Sequence, residues 1–321
     1  MAAQNGGSIT AFIGDVLWSQ WAALGVPAAI NPSGALIDPE ALVIATACYT
    51  HEDHDDRIRD GAISWLVRHG EYILTTRLKR LIANIVSPDQ RDQVLQLLTE
   101  AGSATKRRFA WPMLRELPKA WHASTEIASL DPWSPGLLRI RCRAIFGATA
   151  KAEAYAVLAT MAGPVDLAVI GQLTGFSRRQ VDDGLASLLD VNWVRRSTRG
   201  NAYRFELTDA GRVVIGAPIR LVSIGPRDVD LMRVSSAPSW IDWSERFDLL
   251  FLLAHAERRM EDGDPLTALA ELRHAEHLLR ELSLTVPAPL AAGESLDEAV
   301  ARMEGWLPDA SRRVAGVGLL P

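Results

Sequence analysis

The chain has 321 residues, about twice the length of a typical domain, and its 48% hydrophobic and 23% charged residues belong to a folded globular protein rather than a disordered one. A net charge of −5 and a pI near 5.8 exclude a protein that coats nucleic acid over its whole surface, so any such contact must be local. The longest apolar run, residues 249–254, falls far short of the ~20 residues that span a bilayer, and residues 1–10 lack the pattern of a secretory signal. Cys48 and Cys142 have neither disulfide-framework nor zinc spacing and read as small buried residues. The expected setting is the cytoplasm, with no membrane, metal or cofactor.

Residues 1–100 read as a helical domain. Phe12, Val16, Leu17, Trp18, Trp21 and Leu24 mark a first helix within residues 11–30, stopped by the turn cluster Asn31-Pro32-Ser33-Gly34. Asp38-Pro39-Glu40 supplies an N-cap, a first-position proline and an early acid for a helix over 41–48. Further helices are predicted over 55–68, 76–85 and 90–100, the first ending at Gly70 and the second stopping before Pro88. Thr75 to Arg80 is either a second basic surface or the wet side of an amphipathic helix. Residues 101–144 turn to Gly, Ser, Pro and basic residues with scattered tryptophans, among them Trp111, Trp121 and Trp133, which predicts a connector packed against its neighbours.

Residues 145–216 carry the most informative pattern. Ala154, Val157, Leu158 and Met161 fall at i, i+3, i+4, i+7 of a helix that stops at Gly163-Pro164, and a second helix runs from an Asp166 cap through Leu167, Ile170 and Leu173. Thr174-Gly175-Phe176 makes a tight turn in which glycine accepts a left-handed backbone. Ser177 caps a third helix whose Val181, Leu185, Leu188 and Leu189 share one face, leaving Arg179, Gln180, Asp183, Ala186 and Ser187 outward. A hairpin follows around residues 198–201, with Tyr203, Phe205 and Leu207 expected inward against Arg204 and Glu206 outward. Between residues 192 and 203 stand Arg195, Arg196 and Arg199 and no acid, a charge that suits phosphate or minor-groove contact. Thr208 opens the next helix. The module is a winged helix-turn-helix of the sort that binds double-stranded DNA, with Arg178, Arg179 and Gln180 at the major-groove end of its recognition helix.

Residues 170–181 (IGQLTGFSRRQV) and 199–211 (RGNAYRFELTDAG) resemble winged-helix bacterial transcription regulators of the MarR and ArsR kind, over about 70 of the 321 residues. That resemblance implies operator binding as a homodimer, with Ser177, Arg178, Arg179, Gln180 and Asp183 on the reading helix and Arg195, Arg196, Arg199, Asn201 and Arg204 on the wing. The long helical flanks depart from those compact regulators. The arrangement is also similar to uncharacterised winged-helix proteins that accompany nucleotidyltransferase-type toxins.

Residues 217–239 read as a linker, and 240–321 as a C-terminal helical domain: Trp243, Phe247, Leu250, Phe251 and Ala254 line one helix, Asp264-Pro265 opens a second, and a third covers 294–307. The predicted fold class is mainly α, a central winged helix-turn-helix with a small β-hairpin flanked by helical domains. Against DNA binding stand Asp182 and Asp183 beside the reading face, and seven arginines against five acids between Phe176 and Arg212, a net of only +2. Asp183 either pairs with Arg179 or accepts from a cytosine. The competing reading is an antitoxin-like or scaffold protein that docks a protein partner. A metal-dependent enzyme is the third reading. Its candidates, His51-Glu52-Asp53-His54-Asp55-Asp56 and the trio Glu271, His274 and His277, lack a second half and read as solvated polar stretches. Nucleotide-binding and hydrolase fingerprints are missing, and no enzyme is expected.

Overall fold

Polar caps fix where the helices of this chain begin. The structure, a computed structural model, describes residues 8–53, 55–85, 87–104, 125–131, 133–200, 202–216, 240–291 and 293–316. Ser8 accepts from the Ala11 amide to open α1 (Ile9–Ala23), and Asp38 accepts from the Ala41 amide at the head of α2 (Pro39–Asp53). Asp55 caps α3 (Asp56–His69) through the amides of Arg57 and Ile58. Each such bond answers an otherwise unpaired amide and contributes about 1 kcal/mol. Next come α4 (Thr75–Asn84) and α5 (Pro88–Ala104). Because α2 continues to Asp53, His51, Glu52 and Asp53 belong to a helix rather than a loop. His54 lies outside the described residues, and Asp55 is taken up as a cap.

The stretch expected as a connector holds a helix. A short 3-10 turn, Pro135–Leu137, leads into α6 (Leu138–Phe146). Lys106, Arg107, Arg108, Trp111 and Trp121 lie outside the described residues; Trp133 is 69% exposed, covered less than expected, although its ring closes on Gly216. Then follow α7 (Ala150–Thr160), β1 (Val165–Asp166), α8 (Leu167–Thr174), α9 (Arg178–Asp190), β2 (Val194–Arg199), β3 (Ala202–Leu207) and α10 (Asp209–Val214). The strands form one antiparallel sheet in the order β1-β3-β2. The expected linker at 217–239 lies outside the described residues. The chain resumes in α11 (Trp243–Glu261), α12 (Pro265–His274), α13 (Glu276–Glu281) and α14 (Leu296–Val314). None of the helices among the described residues is long and apolar enough to cross a membrane.

Two apolar cores result. The first is built jointly by α1–α5 and α11–α14, so the two flanking thirds share one interior. Within it Trp21 meets Trp65 edge-on at 5.8 Å and donates its indole N–H to Thr46 at 2.8 Å. The second core gathers Tyr155, Ile170, Val181, Leu185 and Phe205 from α7, α8, α9 and β3. Each such side chain, fully buried, contributes about 1.5–3 kcal/mol.

Between the two cores lies a dry lattice of charges. Asp38 and Glu40 at the head of α2 meet Arg77 of α4 and Arg139 and Arg143 of α6, and these last two also meet Glu153 of α7. Arg139 stands 2.8 Å from Asp38, while Arg143 reaches Glu40 at 2.6 Å and Glu153 at 2.7 Å. Arg143 also donates to the Tyr72 carbonyl, and Glu40 accepts from the Leu74 amide. Burial alone pushes the Glu153 carboxyl up, but Arg139 and Arg143 outweigh it and hold the group down at about 2. Arg139 and Arg77 likewise hold Asp38 far below the usual carboxylate range, against its burial. Cys142, in the same dry region, is pushed up to about 12 by burial and by Glu153 beside it.

Removing one partner from such a lattice leaves a buried charge uncompensated. Glu153→Ala is therefore expected to lower stability by about 3–5 kcal/mol, read as an earlier urea midpoint. In the native chain, carboxyls held below their unfolded values contribute stability that is complete above the unfolded value and is lost as protons bind. Glu153 sets the window of its own share: the drop in urea midpoint caused by Glu153→Gln should be full above about pH 4.5 and shrink as the pH falls toward about 2. A difference that does not change in that window would show that Glu153 is not held by the lattice.

Candidate nucleic-acid interface

The turn between α8 and α9 depends on Gly175, whose φ of +73° is left-handed. Its amide bonds back to the Gly171 carbonyl at 2.8 Å, which closes α8. A Cβ there would collide with the Arg80 guanidinium, because Arg80 of α4 reaches across to donate to the Gly175 carbonyl. Thus the stretch from Thr75 to Arg80 is not one basic surface: Thr76 and Lys79 are on the exposed side of α4, while Arg77 belongs to the buried lattice and Arg80 holds this turn.

At the start of α9, Ser177 and Gln180 form a capping box. Ser177 Oγ accepts from the Gln180 amide at 3.3 Å, and Gln180 Oε1 accepts from the Ser177 amide at 3.0 Å and its hydroxyl at 2.9 Å. Both residues serve the helix end first. Val181, Leu185 and Leu188 face the second core, and Leu189 is half-buried against it. Arg178, Arg179, Asp182, Asp183, Ala186 and Ser187 are all exposed, as the spacing predicts. Arg179 lies 3.8 Å from Asp183 one turn on, a loose pair between two highly exposed side chains.

The hairpin pairs Val194 with Leu207, Arg195 with Glu206, Arg196 with Phe205, Ser197 with Arg204, Thr198 with Tyr203 and Arg199 with Ala202. Opposed residues share a side of the ribbon, so its arginines divide between two faces. Arg196 lies on the face of Phe205, where its guanidinium covers the Tyr203 ring at 4.6 Å. Tyr203 shares the face of Phe205 and Leu207, as the alternation predicts, but lies beyond the end of the core and is half exposed. Arg195 and Arg204 take the other face, and both have acids. Arg195 Nε meets Glu206 at 2.8 Å, and Arg204 Nε meets Asp166 at 3.2 Å because β1 sets Asp166 directly opposite Arg204. Arg204, half-buried, is a strut to the head of α8 rather than a free wing cation. Asp166 stands at the expected cap position of α8 but makes no side-chain cap bond. Arg199, at the tip, is exposed and pairs with no acid among the described residues. Asn201 lies outside the described residues.

The side chains of residues 51–54, the head of one metal candidate, lie outside the described residues. Among the described residues no group of three His, Cys, Asp or Glu is placed to hold an ion. The chain breaks at Ala275 between α12 and α13, so Glu271, His274 and His277 do not share one helix face. The chain matches no protein-family model, and no curated protein or solved structure matches it.

Gly175 gives the interface a direct test. Gly175→Ala must hold an alanine at positive φ and expel Arg80, so a loss of about 1–2 kcal/mol in urea unfolding is expected. Stability equal to the parent chain would mean that the turn is not held as described.

Proposed function

We propose that residues 145–216 act as a winged-helix DNA-binding module and that the chain is a transcriptional regulator, akin to the MarR and ArsR kind. One observation carries the reading: an uncovered α9 whose first turn offers Arg178 and Arg179, beside a hairpin whose tip offers Arg199. In this reading α9 enters the major groove, where an arginine grips guanine through two parallel hydrogen bonds, and Arg196 and Arg199 meet the backbone or the minor groove. Gln180 keeps its oxygen for Ser177, so base discrimination rests on Arg178 and Arg179. The module works as a homodimer on two half-sites about one helical turn apart.

The two arginine sets predict different losses. Arg179→Ala should cost about 1–3 kcal/mol and relax base preference, in a gel shift against the chain's own upstream region. Arg199→Ala should weaken all duplexes alike and, across two salt concentrations, flatten the salt slope by about one unit. Binding unchanged by both substitutions removes this assignment.

The second reading is an antitoxin-like or scaffold protein that uses the same surface for a protein partner, and the acid pair Asp182 and Asp183 on the exposed face of α9 favours it. It predicts co-purification with another chain and duplex affinity that barely responds to salt.

A further inference from the structure

A cleft of about 870 Å³ opens between α2, α4 and α11. That is within the roughly 300–1,000 Å³ of small-molecule sites. Ile44, Leu81, Phe251 and Leu252 give it apolar walls, and along α11 Glu245 and Asp248 line it one turn apart, with Asp242 at the end nearest α4. Asp248 is open to the water of the cleft, yet the protein enclosing it, with Asp242 and then Glu245, raises its carboxyl to about 6. Among the described residues no cation or hydrogen-bond donor offsets that rise. Burial, Asp242 and Glu281 push Glu245 upward too, with His277 opposing. Carboxylates crowded in a concave, partly apolar wall are relieved by a bound cation.

The far side of the cleft touches the α8–α9 turn. Arg80 lines the cleft and donates to the Gly175 carbonyl, and Gln172 of α8 also lines it. Asp242 attracts Arg80, while neighbouring Arg77 repels it. A second cation lodged beside Asp242 would compete for that attraction and repel Arg80 from the turn.

We propose that this cleft binds a small amphipathic amine, with its apolar body on Ile44, Leu81 and Phe251 and its ammonium at Glu245 and Asp248, and that Arg80 carries occupancy to the α8–α9 turn. The coupling rests on the DNA-binding reading above; the binding of the amine does not.

Calorimetric titration of the full chain with tryptamine and with indole-3-propionate, alike in body and opposite in charge, tests the site. Tryptamine should bind saturably and at least about tenfold tighter than the carboxylate. Asp248→Asn and, independently, Glu245→Gln should each weaken tryptamine by about tenfold. Asp297→Asn, in the exposed first turn of α14, should leave it unchanged. No saturable tryptamine binding, equal binding of the carboxylate, or wild-type affinity in both folded cleft variants overturns the site. Saturating tryptamine should shift duplex affinity by about fivefold or more in the parent chain and have no effect in Arg80→Gln. Duplex binding that ignores tryptamine overturns the coupling. Absence of duplex binding under every condition sinks the DNA-binding reading instead, and the calorimetry still decides the cleft.

Discussion

The buried lattice of three arginines and three carboxylates is the constraint on which the rest of this structure depends. Its members come from α2 and α4 of the first core, α7 of the second, and α6, which contributes to both, so neither core can shift without stranding a charge. A stranded charge in a dry interior costs several kcal/mol, comparable to a large part of a domain's net stability. The chemistry requires arginine rather than lysine: Arg143 answers Glu40, Glu153 and the Tyr72 carbonyl at once, which a forked guanidinium with five donors can do. The third third of the chain joins at the margin. Trp240 lies over the Arg139 guanidinium at 5.0 Å, Asp242 comes to 3.9 Å from Arg77, and Trp243 donates to the Leu36 carbonyl at 2.6 Å.

From that lattice α4 carries rigidity outward. Arg77 and Arg80 sit one turn apart on the same helix, one turned into the lattice and the other onto the Gly175 carbonyl. The position of the α8–α9 turn is thereby referred to the flanking helices and not only to its own small core. In a compact module of about 70 residues a turn of this kind has no such external reference. The long flanks of this chain supply one, and they also enclose the cleft between α4 and α11.

Most of the helix ends were legible in the sequence, because capping is local. Asp38, Ser177, Thr208 and Asp264 each act within three residues of themselves and accept the cap bond expected of them, and Asp55, read as the first residue of a helix, caps it instead. Asp166 is the exception, drawn off by Arg204 on a strand 38 positions away, a partner that no local pattern encodes. Helix α6 was illegible for a similar reason. Its sequence, LRIRCRAIF, alternates apolar and basic residues as an edge strand would, and only distant carboxylates make Arg139 and Arg143 interior residues. At the candidate interface the exposed side of α9 was readable from its period. The division of the hairpin arginines between two faces was also implicit in the alternation, but which of them meet acids depended on the register with Asp166 and Glu206.

That register changes the weight of the charge count. Seven arginines against five acids over residues 176–212 suggests a weakly basic patch, but the acids are not spread evenly among the arginines. Glu206, joined by Asp166 from outside that span, serves Arg195 and Arg204 on the face of the ribbon away from Arg196, and Arg199 is left at the tip. On α9 the competition is between Asp183 and a nucleic acid for Arg179. An exposed i,i+4 pair is worth about 0.3–0.5 kcal/mol, whereas a two-bond contact with guanine discriminates by about 1–3 kcal/mol. In the DNA-binding reading the larger quantity prevails. Asp183 then costs the interface little by holding Arg179, and its effect comes through its own position: a carboxylate at the groove disfavours phosphate and guanine and suits the amino group of cytosine. The acid pair on α9 is thus compatible with a reading surface selective for sequence, while it argues against one that binds any duplex by charge alone.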